Sequence, residues 1–145
     1  MKKERTVNFT FAELVDKLTI SQIKEVLLPQ VSAKKYCLEL KELEHDIDLL
    51  IKQKRIKISA KFLRLIILLS QLNLHVWFLK DRMSSERKSY FKLLKFAQEL
   101  NGIRNHIKNL ILEEAKEINE SKRRTTFLDY KNKMWFSPFI LGLGK

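Results

Sequence analysis

Turn-forming residues are scarce in this chain, and that scarcity constrains its fold more than any other feature. In 145 residues the prolines are Pro29 and Pro138, and the glycines are Gly102, Gly142 and Gly144. A sandwich or barrel needs a tight turn between successive short strands, so this composition argues against an all-β fold. No glycine-rich loop is present to cradle a phosphate, which argues against Rossmann and P-loop enzymes. A single cysteine, Cys37, rules out an internal disulfide framework and an all-cysteine zinc site. The length suits one domain with a real core.

The apolar residues recur at helical spacing. Thr10-Phe11-Ala12-Glu13 fits a capping box, in which the threonine side chain satisfies an orphan N–H and the glutamate reaches back. Thr19-Ile20-Ser21-Gln22 fits a second, so the first helical region is expected as two short pieces, 10–18 and 19–28, ended by Pro29. Ser32 is the expected cap of a second helix running to about Ile56. Its stripe of Tyr36, Leu40, Leu43, Ile47 and Leu50 alternates steps of four and three.

Ser59 is the expected cap of a third helix carrying Phe62, Leu65, Ile66, Leu69, Leu72, Val76 and Leu79. Apolar around much of its circumference, it reads as the central helix. The stretch Phe62–Leu79 has the length of a bilayer span, but Arg64, Gln71, Asn73 and His75 interrupt it, so a buried bundle helix is expected rather than a membrane span. After a break capped by Ser84 and Ser85, a fourth helix is expected from about Glu86 to Glu120, with Leu93, Phe96, Leu100, Ile103, Ile107 and Leu110 on its stripe.

The predicted fold is all-α: an antiparallel helical bundle of three long helices plus a short N-terminal helical segment, over 1–120. The tail, 121–145, is first basic and then aromatic, with Phe127, Tyr130, Met134, Trp135, Phe136, Phe139, Ile140 and Leu141. Such a tail is expected to pack on the bundle, on a protein partner or against a membrane. The first twenty residues lack the apolar segment of a secretory signal, and a cytoplasmic location is expected.

One polar constellation stands out. On a helical wheel Asn73 lies close to the stripe of the third helix, with Trp77 at its edge and Asp81 a turn further on. Arg104 lies close to the stripe of the fourth, flanked by Asn101, Asn105 and Lys108. Half-buried polar groups need partners, and Asp46 or Asp48 of the second helix is the expected partner of Arg104. These residues fix helix register through interhelical hydrogen bonds, line a small-ligand or catalytic pocket, or face solvent. Over about residues 69–112, the patterns Asn-x-x-x-Trp-x-x-x-Asp and Asn-x-x-Arg-Asn resemble an uncharacterised family of small helical bacterial proteins, a domain of unknown function. Lys80 stands where that family usually carries an acid. The resemblance implies a helical bundle of bacterial or phage origin and brings no established activity.

Charge supplies the other signal. The formal net charge is +12. Residues 59–112 hold 10 basic and 3 acidic side chains, whereas the flanking segments are closer to balance. Lys88, Lys92 and Lys95 fall on the outward side of the fourth helix with His106, Arg82 and Arg87 lie near its start, and Lys122, Arg123 and Arg124 follow its end. Such a strip is either a solvated helix face serving solubility or a surface for phosphate contacts of sequence-independent affinity. The aromatics do not clearly interleave with the lysines, which leaves single-strand stacking unsupported.

Metal and nucleophilic chemistry have little support. The Glu-x-x-His spacing of a di-iron bundle occurs once, at Glu42 and His45, where two copies are needed. No metal, cofactor or catalytic residue is expected. The function read from the sequence is a small, basic, non-enzymatic binding or adaptor protein whose partner is nucleic acid or another anionic macromolecule. The alternatives are a subunit of a larger assembly, homo-oligomers included, and a ligand or enzyme site at Asn73, Trp77, Asp81, Asn101, Arg104 and Asn105.

Overall fold

A computed structural model describes residues 9–117. Within them the chain is all-α: α1 (Phe11–Leu27), α2 (Gln30–Lys54), α3 (Ala60–Ser85), a 3-10 turn (Arg87–Ser89) and α4 (Tyr90–Glu114). The aromatic tail and Lys122, Arg123 and Arg124 lie outside the described residues.

Local chemistry sets most of the ends. The capping box at Thr10 forms: its hydroxyl accepts from the Glu13 N–H, and the Glu13 carboxylate accepts from the Thr10 N–H. Ser59 caps α3 by accepting from the Phe62 N–H. α2 starts at Gln30, two residues before the expected serine, with Pro29 rather than Ser32 in the capping position and no side-chain cap hydrogen bond. The second capping box does not form. α1 runs unbroken through Thr19, whose hydroxyl donates back to the Asp16 carbonyl, so the local pattern is satisfied inside the helix. Nor do Ser84 and Ser85 cap α4. They end α3, donating to the carbonyls of Lys80 and Asp81, and α4 starts only after the 3-10 turn.

α4 stops at Glu114, short of the expected Glu120. Lys116 adopts φ 59°, and the N–H groups of Glu117 and Lys116 donate to the carbonyls of Leu112 and Glu113. That is a Schellman closure made without glycine. It turns Glu117 back into the protein. The Glu117 carboxylate, 4 % exposed, accepts from the Phe11 N–H at the start of α1 and pairs with Lys54 at the end of α2. One acid thereby caps α1 and ties three chain segments together.

α1 is the hub rather than an accessory. It approaches α2, α3 and α4 closely, whereas α2 makes its close backbone approach to α1 alone. Phe11, Leu14 and Val15 of α1 join Leu43 and Leu50 of α2, Phe62, Leu65, Leu69 and Leu72 of α3, and Leu100, Ile103, Ile107 and Ile111 of α4 in one core. The Phe11 and Phe62 rings meet edge to face at 5.4 Å.

α3, expected as the central buried helix of the bundle, is buried on one side only. Leu63, Ile67, Leu74 and Phe78 remain exposed on it. Among the described residues it is the one helix long and apolar enough to cross a membrane by length and composition.

Candidate functional site

Two polar arrangements emerge, one inside the fold and one on its surface. The inner one is centred on Asp16, a residue the wheel analysis overlooked. Asp16 is 6 % exposed in the middle of α1. Arg104 grips its carboxylate with two donors, Nε to Oδ1 at 3.3 Å and Nη2 to Oδ2 at 2.9 Å. Lys108, one turn further along α4 and 3 % exposed, donates to Oδ2 at 3.0 Å. From α3 the Asn73 amide donates to Oδ1 at 2.9 Å and to the Thr19 hydroxyl at 2.7 Å. Asn101 accepts from Arg104 at 2.8 Å.

Helical spacing explains the convergence. Ala12, Asp16, Thr19 and Ile23 step by four, three and four along one buried face of α1. Arg104 and Lys108 share a face of α4 by the same rule. The partner of Arg104 is thus Asp16 of α1, not Asp46 or Asp48 of α2, because α1 stands against α4. Burial pushes the Asp16 carboxyl up. The hydrogen bond and charge of Arg104, the Asn73 amide and the Lys108 charge outweigh it, and hold the group below its ordinary range.

Asn73, Asn101 and Arg104 therefore belong to one network. Trp77 and Asn105 are half-buried and Asp81 is exposed, and none of these three joins it. Chemically, the network joins α1, α3 and α4 through one buried carboxylate that two cations and an amide satisfy. Asp16 was findable as the one charged residue on an otherwise buried spacing of four, three and four.

The outer arrangement is the corner where α3 passes into α4. Arg82, Arg87, Lys88, Lys92 and Lys95 are all exposed there. Arg82 is bound to Glu86 one turn on, at 3.1 Å. His106 does not share this surface. It is half-buried, and burial holds its imidazole below the ordinary range against the opposing charge of Glu113. Tyr90 and Phe91 sit among the cations, with ring centroids 5.6 Å apart, and Phe91 is 83 % exposed. Along the chain the aromatic pair falls between Lys88 and Lys92. Two clefts open at this corner. One, of about 550 Å³, is lined by Met83, Ser84, Arg87, Tyr90 and Phe91. The other, of about 600 Å³, is lined by Arg82, Ser89, Lys92, Lys95, Phe96 and Glu99 among others.

Two acidic residues elsewhere have partners across the fold. Glu114 pairs with Lys61 at 2.6 Å, and Glu39 accepts from the Ser21 hydroxyl at 2.7 Å. Among the described residues no group of three His, Cys, Asp or Glu side chains is placed to hold a metal ion.

No protein-family model, curated protein or solved structure matches the chain. The class its fold defines is all-α, with four helices in the described region.

Proposed function

We propose that this is a small, basic, non-enzymatic binding protein whose partner is nucleic acid, engaged through the α3–α4 corner. The observation that carries the reading is the exposure of Arg87, Lys88, Lys92 and Lys95 within a nine-residue stretch. The inner cations Arg104 and Lys108 are taken up by Asp16 and add nothing to that surface. Phosphate contacts release counterions, so four of them give a log–log salt slope of roughly −3 to −4. Binding of a labelled oligonucleotide across a salt series tests this. A slope in that range, falling by about 1 for each lysine neutralised, is expected. Affinity that does not move with salt overturns it.

A specific observation favours a second reading, a subunit of a homo-oligomer. Leu63, Ile67, Leu74 and Phe78 step by four, seven and four along the outer side of α3. The stripe reads the same in either direction. A two-fold axis between Ser70 and Gln71 sets Leu63 against Phe78 and Ile67 against Leu74 of a second copy, the self-complementarity that an isologous dimer needs. Light scattering distinguishes the two: a discrete dimer dispersed by Ile67→Glu supports this reading, and a monomer at all concentrations removes it.

A further inference from the structure

We infer that the α3–α4 corner takes single-stranded rather than double-stranded nucleic acid, with Phe91 and Tyr90 as the platform on which bases stack. This rests on the nucleic-acid reading of the same corner and adds to it the form of the ligand.

The inference starts from an exposure that folding does not account for. Phe91 is 83 % exposed in the first turn of α4, where a solvent-facing helix position ordinarily carries a polar residue. Its neighbour Tyr90 is 40 % exposed and contacts it edge to face. Water leaves both rings available, and a base offers a π-face of the right size. Every base has such a face, so the contact is tolerant of sequence, as is a contact made by lysines with phosphates.

The surroundings favour a strand over a duplex. In a duplex the bases are stacked on one another and present only their edges in the grooves. An unpaired strand presents its faces, and a protein that binds it combines a cationic track for the backbone with aromatic rings. Arg87 and Lys88 precede the aromatic pair and Lys92 and Lys95 follow it, so cations lie on both sides of the rings along the chain. A cleft of about 550 Å³ lined by both rings and Arg87 gives the strand a recess at the platform, and a second of about 600 Å³ is lined by Lys92 and Lys95. Ser89, in the lining of the second, adds a hydroxyl donor suited to phosphate oxygens.

The test compares a fluorescently labelled oligo-dT of about 16 nucleotides with a duplex of the same length. Three proteins are used: the full chain, its Phe91→Ala variant and its Phe91→Trp variant. Because the ring is exposed, both variants are expected to melt with the parent by circular dichroism. The single strand is expected to bind more tightly than the duplex. Phe91→Ala is expected to weaken single-strand binding by about tenfold while leaving the salt slope unchanged, and Phe91→Trp to retain it. Equal binding of strand and duplex, with no effect of Phe91→Ala, overturns the stacking platform and leaves the cationic nucleic-acid reading standing. Binding of neither overturns both. Capture of the protein by phosphatidylserine vesicles, with no binding of either oligonucleotide, also overturns both and assigns the corner to a lipid surface.

Discussion

Replacing Asp16 by Asn is the most informative perturbation of the fold. The substitution keeps size and shape and removes one charge. Four donors now reach the carboxylate: two from Arg104, one from Lys108 and one from Asn73. An asparagine offers one acceptor oxygen and turns an amide donor toward them. Arg104 retains a fifth of its side-chain exposure and can relax toward water, but Lys108, at 3 % for its side chain, cannot. Removing one partner of a buried ion pair costs about 3–5 kcal/mol. The partial exposure of Arg104 places this case at the lower end, about 3–4 kcal/mol. Against a total stability of about 5–15 kcal/mol that is a large fraction, and it lowers Tm by roughly 10–20 °C. Urea denaturation of the parent, Asp16→Asn, Lys108→Met and the double variant measures it. If the network is coupled, Lys108→Met restores part of the loss in the Asp16→Asn background, with a coupling energy above about 1 kcal/mol. Glu86→Gln, which breaks the exposed pair with Arg82, serves as the control and is expected to leave the midpoint unchanged. A cost below about 1 kcal/mol for Asp16→Asn, or strict additivity in the cycle, refutes the reasoning.

Three further outcomes follow from the same structure. Buried Asp16 and half-buried His106, both with depressed pKa values, destabilise the fold on acidification, because the unfolded chain binds their protons more readily. The His106 contribution is present above its ordinary 6.5 and is lost as pH falls through the lower folded value; the Asp16 contribution is present above 3.8 and is lost lower still. Urea midpoints measured from pH 8 to pH 3 should therefore decline in two stages, and His106→Gln should remove the upper one. Glu117→Ala strips the Phe11 N–H and Lys54 of their shared acceptor, and should cost about 2–3 kcal/mol by thermal or urea melting. Thr10→Ala removes the side-chain half of the capping box alone and should cost about 1 kcal/mol, less than Glu117→Ala in the same assay.

Helix content was legible because apolar spacing and caps are local. The capping box at Thr10 and the serine at Ser59 carry their own donors and acceptors within three residues, and both form. The same local rule misled at Thr19, where a buried threonine had a partner inside its own helix and no need to start a new one. The stripe of α3 was over-read for a different reason. Apolar character around a helix does not say how many sides other elements will cover, and α2 packs closely on α1 rather than on α3. Half of the six-residue polar constellation, Asn73, Asn101 and Arg104, was recovered from position on the wheel. Its centre was not, because which acid meets Arg104 depends on which helix lies against α4. The turn at Lys116 was invisible for want of the glycine that usually marks it.

The net charge itself needs to be divided before it can be read. Of the ten cations between residues 59 and 112, Arg104 and Lys108 point inward to Asp16, Lys61 is tied to Glu114 and Arg82 to Glu86. Counting +7 over that segment therefore mixes charges that hold the helices in register with charges that face solution. The two sets make opposite demands. A register charge is useful only when desolvated and matched, so its loss appears in stability. A phosphate-binding charge is useful only when solvated and unencumbered in the free protein, so its loss appears in affinity and salt slope. Arg104→Met and Lys92→Met each remove one positive charge from the same helix. The first is expected to shift the urea midpoint and leave the salt slope of the surviving folded protein unchanged. The second is expected to reduce the slope by about 1 and leave the midpoint unchanged. Two variants of equal net charge that part company in this way would establish that position in the fold, and not the overall +12, decides what each cation does.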